Sequence, residues 1–394
     1  MMFRTITTQG VAAVLFWVYL LAAGMAVYSA PAQAQPPLRV VYGFDREYPP
    51  FSFEEAQGKP VGFDVDLIQA VLKDENVQIT MRPLTWDKVQ VELSAGTIQV
   101  TSGMAKTKQR LLLYRFADRP SMPMQVKLFT KPAARVGNIT LLRGQTVSVE
   151  KGSYQQRVLE EFGGLNIKLY DSKVEALKAL ERDEVIAYGG PAQTAYYYID
   201  RLKLGPISAV GTPLVVADTY FAVNRDAERL LEMVNKGMLR VMQSGEYDRI
   251  YRKWFVPTFY VEEYQKMFEA ARNAAINAYS PYSKTPVGAA VMTRSGRIVT
   301  GCNVENAQFN ESITAIRTAV LKAVSEGEYE FRAVVAVAPD GSVQAPSAAD
   351  RQFLFEFGRG ILCAVEPEKG RVEMSMVSEL LPYPYASRPE SYQY

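Results

Sequence analysis

A chain of 394 residues with 48% hydrophobic and 22% charged residues has the make-up of a globular protein and the length for two or three domains, which excludes disorder as its ground state. Lys and Arg number 44 against 42 Asp and Glu, a net charge of +2 without a long basic run, so no nucleic acid partner is expected. Histidine is absent altogether, which excludes Ser-His-Asp and Cys-His catalysis, His-ligated zinc and His-based pH switching, because each needs an imidazole near neutral pH.

The first 34 residues read as an export signal: Arg4 supplies a positive start, 11–27 is apolar, and Ala32-Gln33-Ala34 offers a small-residue cleavage site that leaves Gln35 first. The alternative is an uncleaved membrane anchor, since the apolar stretch approaches the roughly 20 residues that span a bilayer. From residue 38 the pattern is strand, loop, helix, repeated. Residues 38–44 are β-branched and apolar, 48–53 form a Pro-interrupted aromatic loop, and 63–73 carry apolar residues at helical spacing behind Asp64. A strand at 77–81, a helix at 87–94 and a strand at 98–103 follow.

A second unit of the same kind begins near Gly144, with strands at 146–150, 167–170 and 185–188 and helices at 154–162 and 173–182. Strand 215–223 and amphipathic helices 227–244 and 246–254 then return the chain to the first unit. This alternation predicts α/β sheets with ligand loops at strand ends, and two such lobes predict a cleft between them. The expected domain spans 35–257, with lobe one at about 38–130 and 216–257 and lobe two at about 131–215.

Pro257 marks the next boundary. Beyond it the pattern predicts an alanine-rich amphipathic helix at 260–279, strands at 288–293 and 298–303 about a Ser295-Gly296 turn, a helix at 313–326, and strands at 333–338 and 361–365. Residues 258–394 thus make a third α/β unit of ordinary domain size. Cys302 and Cys363 are too few for a thiolate zinc cage or a disulfide scaffold. Both sit in strand-like apolar segments and read as buried free thiols, pairing in an oxidising compartment being the alternative. Ser148-Val-Glu-Lys151 has the Ser-x-x-Lys spacing of penicillin-binding enzymes but ends a strand instead of opening a helix, so it reads as coincidence.

Residues 38–257 resemble the periplasmic amino-acid-binding proteins of ABC importers. The resemblance rests on Asp45-Arg-Glu-Tyr48-Pro-Pro-Phe51, Gly62-Phe-Asp-Val-Asp-Leu67, Ser102-Gly103-Met104 with Arg110 downstream, Gly152-Ser153, and Gly245-Glu-Tyr-Asp-Arg-Ile-Tyr-Arg-Lys-Trp-Phe255. It implies a two-lobed periplasmic-binding-protein fold whose cleft strips a small zwitterion of water, giving its carboxylate a guanidinium and N–H donors, its ammonium a carboxylate, and its side chain apolar walls. Arg110 matches the carboxylate clamp, Gly103 and Ser153 offer backbone and hydroxyl donors, Tyr48 and Trp86 match the aromatic walls, and Asp45 is a polar contact on the rim; Ser102 and Tyr154 complete the expected ligand shell. Two positions depart. Gly189 stands where the family places the aspartate that meets the ligand's ammonium, and Ala105 where a Ser or Thr hydroxyl contacts the ligand. An ammonium buried without that partner would cost several kcal/mol, so a carboxylate lacking the ammonium and a weakened site are both open.

Residues from about 262 onward resemble the small homotetrameric cytidine deaminases, through Asn277-Ala-Tyr-Ser-Pro-Tyr-Ser-Lys284, Pro286-Val-Gly-Ala-Ala290, Gly301-Cys-Asn-Val-Glu-Asn-Ala307, Arg317-Thr-Ala319, Lys322-Ala-Val-Ser-Glu-Gly327 and Arg351-Gln352. The resemblance implies a three-layer α/β/α domain and zinc held by cysteines, or by cysteines and a histidine, with a glutamate shuttling protons. The phrase that would carry the first cysteine and that glutamate reads Thr314-Ala-Ile316, and the phrase for the other cysteines reads Pro346-Ser347-Ala-Ala-Asp350. Neither Cys302 nor Cys363 falls at a ligand position, so no metal, no cofactor and no enzymatic activity are expected. Asn303 and Glu305 match the family's ribose contacts, which leaves a nucleoside-binding relic open, while Thr285 replaces a phenylalanine near the base.

The leading expectation is an exported binding protein that takes an amino acid or small carboxylate, closes by hinge motion, and delivers it to an ABC transporter permease or a membrane sensor. Its third domain would serve oligomerisation or docking, making a homo-oligomer. The alternatives are a dehydratase-type enzyme using Glu150, Asp171 or Asp45 as acid/base, and a scaffold or nucleoside-binding protein.

Overall fold

The computed structural model describes residues 36–134, 136–256, 260–381 and 383–385; the expected export signal and the boundary residue Pro257 lie outside them. Leu38–Arg39 and Asn76–Gln78 belong to a small unit of their own, and Val40–Glu75 with the residues from Ile79 onward form the other. The chain opens with β1 (Leu38–Asp45), then a small sheet of β2 (Glu47–Tyr48), β3 (Ser52–Glu54) and β4 (Pro60–Val61). This sheet stands where a loop is expected at 48–53. Pro49 and Pro50 have no N–H to donate, yet the residues on either side pair, Tyr48 with Ser52 and Phe53 with Val61.

Helix α1 (Phe63–Leu72), β5 (Val77–Leu84), α2 (Trp86–Ala95), β6 (Val100–Ala105), α3 (Lys108–Leu113) and β7 (Tyr114–Phe116) build the first lobe. Strand β8 (Met122–Thr130) leads into the second: β9 (Thr146–Glu150), α4 (Tyr154–Phe162), β10 (Asn166–Tyr170), α5 (Lys173–Glu181), β11 (Ala187–Pro191) and α6 (Ala192–Leu202). The long β12 (Ser208–Asn224) brings the chain back to α7 (Glu228–Gln243) and α8 (Glu246–Phe255). Helix α8 is fixed to the first lobe by its aromatic face, where Tyr247, Tyr251 and Phe255 surround the Phe63 ring.

Both lobes share one nine-stranded sheet, ordered β10-β9-β11-β8-β12-β6-β1-β5 with β7 paired to β12. Strands β8 and β12 run antiparallel from Ser208 opposite Thr130 to Thr219 opposite Met122, so two neighbouring strands carry the chain between lobes. Register shifts interrupt β12 between Val210 and Val215 and between Tyr220 and Ala222. The first lobe buries Val89, Leu93, Ile98 and Met104. The second buries Phe129, Leu177 and Tyr188 on one face of its sheet and Val147, Val149 and Leu159 on the other.

The third domain comprises α9 (Val261–Ala275), β13 (Gly288–Thr293), β14 (Ile298–Cys302), α10 (Ala315–Ser325), β15 (Phe331–Val337), α11 (Ala348–Phe357), β16 (Leu362–Glu368), β17 (Arg371–Met376) and α12 (Val377–Leu380). Its sheet runs β14-β13-β15-β16-β17. Gly288 lets α9 approach so closely that a Cβ there would lie 1.9 Å from the Ala271 carbonyl oxygen, and Gly301 admits α10, a Cβ there lying 2.4 Å from the Ala319 nitrogen. Gly288 pairs with Cys302 and Gly301 with Ala289, so the two glycines face opposite sides and the domain is a three-layer α/β/α sandwich. The helix expected at 260–279 stops at Ala275, and Tyr279 pairs with Val304 instead. Both cysteines are free, Cys363 buried but Cys302 only half-buried.

This domain touches both lobes. On the second, Glu330 accepts from Lys127 and from the Tyr196 hydroxyl at 3.0 Å. On the first, Arg359 pairs with Asp248 at 2.6 Å above the Tyr247 ring, and Arg252 pairs with Glu379 at 2.6 Å.

Candidate functional site

Strand ends and helix starts from both lobes converge on one cavity. The first lobe contributes Asp45, Tyr48, Trp86, Gly103, Ala105 and Arg110; the second contributes Glu150, Ser153, Tyr154, Gln155 and Lys173, with Met124 of β8 between them. The space left inside is about 30 Å³, room for a couple of waters.

Arg110 lies in α3, whose first turn is capped by Thr107 accepting from the Arg110 N–H at 3.1 Å. Its guanidinium donates to the Ala105 carbonyl at 3.1 Å, the Gln90 side-chain oxygen at 3.3 Å and the Gly152 carbonyl at 3.5 Å, and sits 5.4 Å from the Trp86 ring. Burial pulls it down to about 10, which leaves it charged near neutrality. Every partner is neutral, and among the described residues no carboxylate is ion-paired with this buried cation.

Lys173, at the first position of α5, is the residue the sequence reading missed. Only 4% exposed, its ammonium donates to Asp45 of the first lobe and to Glu150 at 2.8 Å, 5.1 Å from the Tyr48 ring. A lysine there opposes the helix dipole, which favours anions at an N-terminus; that conflict is the signal that could have singled it out. Burial alone would lower the lysine, but the attraction and hydrogen bonds of Asp45 and Glu150 outweigh it and hold the ammonium above its ordinary value. Burial pushes Glu150 up, Lys173 opposing and Asp45 reinforcing. Asp45 is thus no rim contact: it is buried, with its second oxygen accepting from the Glu47 N–H at 2.9 Å.

Of the expected ligand shell, Asp45, Tyr48, Trp86, Gly103, Arg110, Ser153 and Tyr154 line the cavity. Ser102 does not. Neighbouring residues of a strand face opposite ways, so while Gly103 faces the cavity, the Ser102 hydroxyl meets the Tyr42 hydroxyl at 2.5 Å inside the lobe. The Ser153 hydroxyl is also committed, donating to the Glu150 carbonyl at 2.7 Å and accepting from the Gln156 N–H at 3.1 Å as the cap of α4. Gly189 lies against Leu159, whose Cδ1 would be 2.8 Å from a Cβ there. Asp171 is exposed and does not line the cavity.

In the third domain the residues at the expected zinc positions hold one another. Thr314 caps α10 and donates to Asp350 at 2.6 Å, Ser347 caps α11 and donates to the other Asp350 oxygen at 2.8 Å, and Arg317 approaches Asp350 at 3.4 Å. Ile316 is in the core. One carboxylate and two hydroxyls, already bonded to one another, fall short of the three or four Cys, His or carboxylate ligands of a protein zinc site, and among the described residues no three His, Cys, Asp or Glu cluster to hold a metal. Asn303 is tied to the Val287 N–H at 2.8 Å and the Thr285 carbonyl at 3.0 Å, and Glu305 to the Tyr282 and Ser283 N–H groups at 2.9 and 3.1 Å. Both pin their own loop.

Residues 40–257 match the bacterial extracellular solute-binding proteins, family 3, and 227–339 match the cytidine and deoxycytidylate deaminase zinc-binding region. A cytidine deaminase of Sporosarcina psychrophila is 38% identical over 129 residues, 32% of this chain and 95% of that protein. A putative ABC transporter arginine-binding protein of Escherichia coli is 27% identical over 60% of this chain and 98% of its own length. Among solved structures, an ancestral arginine-binding protein bound to arginine superposes with a TM-score of 0.53 at 28% identity, covering 56% of this chain and 99% of its own. The expectation of a chain without enzymatic activity is corrected by these matches, which put its third domain in a family of enzymes. The chain belongs to the bacterial extracellular solute-binding proteins, family 3, through residues 40–257, and to the cytidine deaminases through its C-terminal part.

Proposed function

We propose that the chain is exported to the periplasm, captures a small carboxylate between its two lobes, and presents it to an ABC importer or a membrane sensor. The observation that carries this reading is the Arg110 guanidinium, buried in the cavity wall and bonded only to neutral oxygens. A buried cation without an anion is costly, and a ligand carboxylate supplies the missing charge through charge-assisted hydrogen bonds. The start of α4 beside it adds the positive end of a helix dipole. The arginine-binding relative and the ancestral protein solved with arginine support a ligand drawn from amino acids and related carboxylates. The apolar stretch at 11–27 with its small-residue site at 32–34 supports export.

In the same reading the third domain self-associates. Support comes from an apolar edge where Tyr279, Tyr282, Val304 and Phe309 are all exposed. A thermal-shift screen of residues 35–394 against amino acids, keto and aromatic carboxylates and nucleosides tests the ligand-binding part of this reading. A carboxylate that raises the melting temperature of wild type and not of Arg110→Ala is the expected result. A nucleoside shift indifferent to Arg110 would move ligand binding to the third domain.

A further inference from the structure

Asp45 and Glu150 are the carboxylates lining the cavity, and both already hold a cation. Asp45 accepts from Lys173 on one oxygen and from the Glu47 N–H on the other, and Glu150 accepts from Lys173 at 2.8 Å. A further strand position facing this region, Gly189, carries no side chain, and a Cβ there would press on the tip of the Leu159 side chain at 2.8 Å. A guest bearing an ammonium would enter beside a like charge and meet carboxylates already paired with Lys173. The Tyr48 hydroxyl, by contrast, is buried and has no hydrogen-bond partner among the described residues, and its ring lines the same cavity. A neutral oxygen next to the ligand's carboxylate would satisfy it.

We infer that Lys173 supplies from within the chain the ammonium that a ligand would otherwise bring, so that the cleft selects small 2-oxo carboxylates over the matching α-amino acids. The inference rests on the reading of the cavity as a carboxylate site. It makes Lys173 the specificity-determining residue and leaves Arg110 the clamp. Discrimination comes from repulsion and unpaired charge against the zwitterion as much as from attraction for the oxo acid.

Isothermal titration of the full chain with matched pairs tests it: phenylpyruvate against L-phenylalanine, 2-oxoglutarate against L-glutamate, and 4-methyl-2-oxopentanoate against L-leucine. At least one oxo acid should bind about tenfold tighter than its amino acid or better. Lys173→Met, which frees Asp45 and Glu150, should move that pair toward the amino acid, while Lys173→Arg keeps the wild-type order. Should Lys173→Met fail to fold, the wild-type comparison alone decides. An amino acid binding wild type as tightly as its oxo acid would overturn the inference and leave the carboxylate site standing. Absence of binding by every carboxylate tried would overturn both.

Discussion

Glu330 of the third domain neutralises Lys127, a lysine only 3% exposed at the middle of β8 in the receptor half. Tyr196 donates to the same carboxylate, and the Arg294 guanidinium lies 3.8 Å from the Tyr196 ring. With Arg359 and Glu379 engaging α8 of the first lobe, the third domain is anchored on both sides of the cleft. Removing Glu330 leaves a buried ammonium uncompensated, which costs about 3 kcal/mol. Glu330→Ala should therefore lower the main calorimetric transition by several degrees. An unchanged thermogram would mean that the domains are not joined this way in solution.

Asp64, fully buried at the start of α1, is pushed by burial from 3.8 up to about 7, the Ser102 hydroxyl opposing only in part. Between those values the folded chain keeps a proton that the unfolded chain releases. Its contribution is therefore fully present at low pH and is lost as pH rises from about 4 to about 7, at a limiting slope of ~1.4 kcal/mol per pH unit. Glu150 is raised by the same cause and adds to the slope. Urea unfolding at pH 5 and pH 7.5 should show wild type losing stability toward the higher pH, with about half of that loss absent in Asp64→Asn. An equal loss in both proteins would place the titration elsewhere.

Asp350 is 3% exposed and holds the starts of α10 and α11 together through Thr314 and Ser347. Asp350→Ala should cost about 2 kcal/mol, since it removes the N3 half of the capping box of α11 and the acceptor of the Thr314 and Ser347 hydroxyls. Ser347→Ala should cost about 1 kcal/mol. Chemical denaturation with a tryptophan-independent probe such as far-ultraviolet circular dichroism reads both, and the reverse ranking would contradict the network.

Gly189→Asp would place a carboxylate at that strand position, yet its Cβ would meet Leu159 Cδ1 at 2.8 Å. Overpacking of that kind costs about 1–3 kcal/mol. Expected is a less stable protein with no gain in amino-acid affinity. A gain would show that Leu159 can yield and that the cleft still accepts an ammonium.

Much of the fold was legible because periodicity was clean. Strand β9 and helix α4 fall on the expected 146–150 and 154–162, where apolar residues alternate or recur at helical spacing and Ser153 provides the cap. Helix α3 is only six residues long, too short to show a period. Strand β8 hides behind Pro123 and Lys127, and the charge that makes Lys127 tolerable there comes from a residue 203 positions away. The Tyr196-Tyr197-Tyr198 run in α6 carries β-formers whose helical state is decided by packing on Phe129.

Site residues followed the same division. Arg110 and Tyr48, which line the cavity, stand in or beside the phrases that carry the resemblance. Lys173 does not, its partners lie 128 and 23 residues away, and a lysine beginning a helix is ordinarily solvated. Ser102 stands in such a phrase too, but it does not line the cavity and its hydroxyl meets Tyr42 inside the lobe, as strand alternation beside Gly103 requires.

The central claim is that Arg110 clamps a ligand carboxylate in the cleft. Isothermal titration of the full chain and of Arg110→Ala, with whichever carboxylate gives the largest thermal shift, tests it most directly. The account predicts measurable wild-type binding that weakens by about 100-fold or more in the variant. Equal dissociation constants for the two proteins would contradict it.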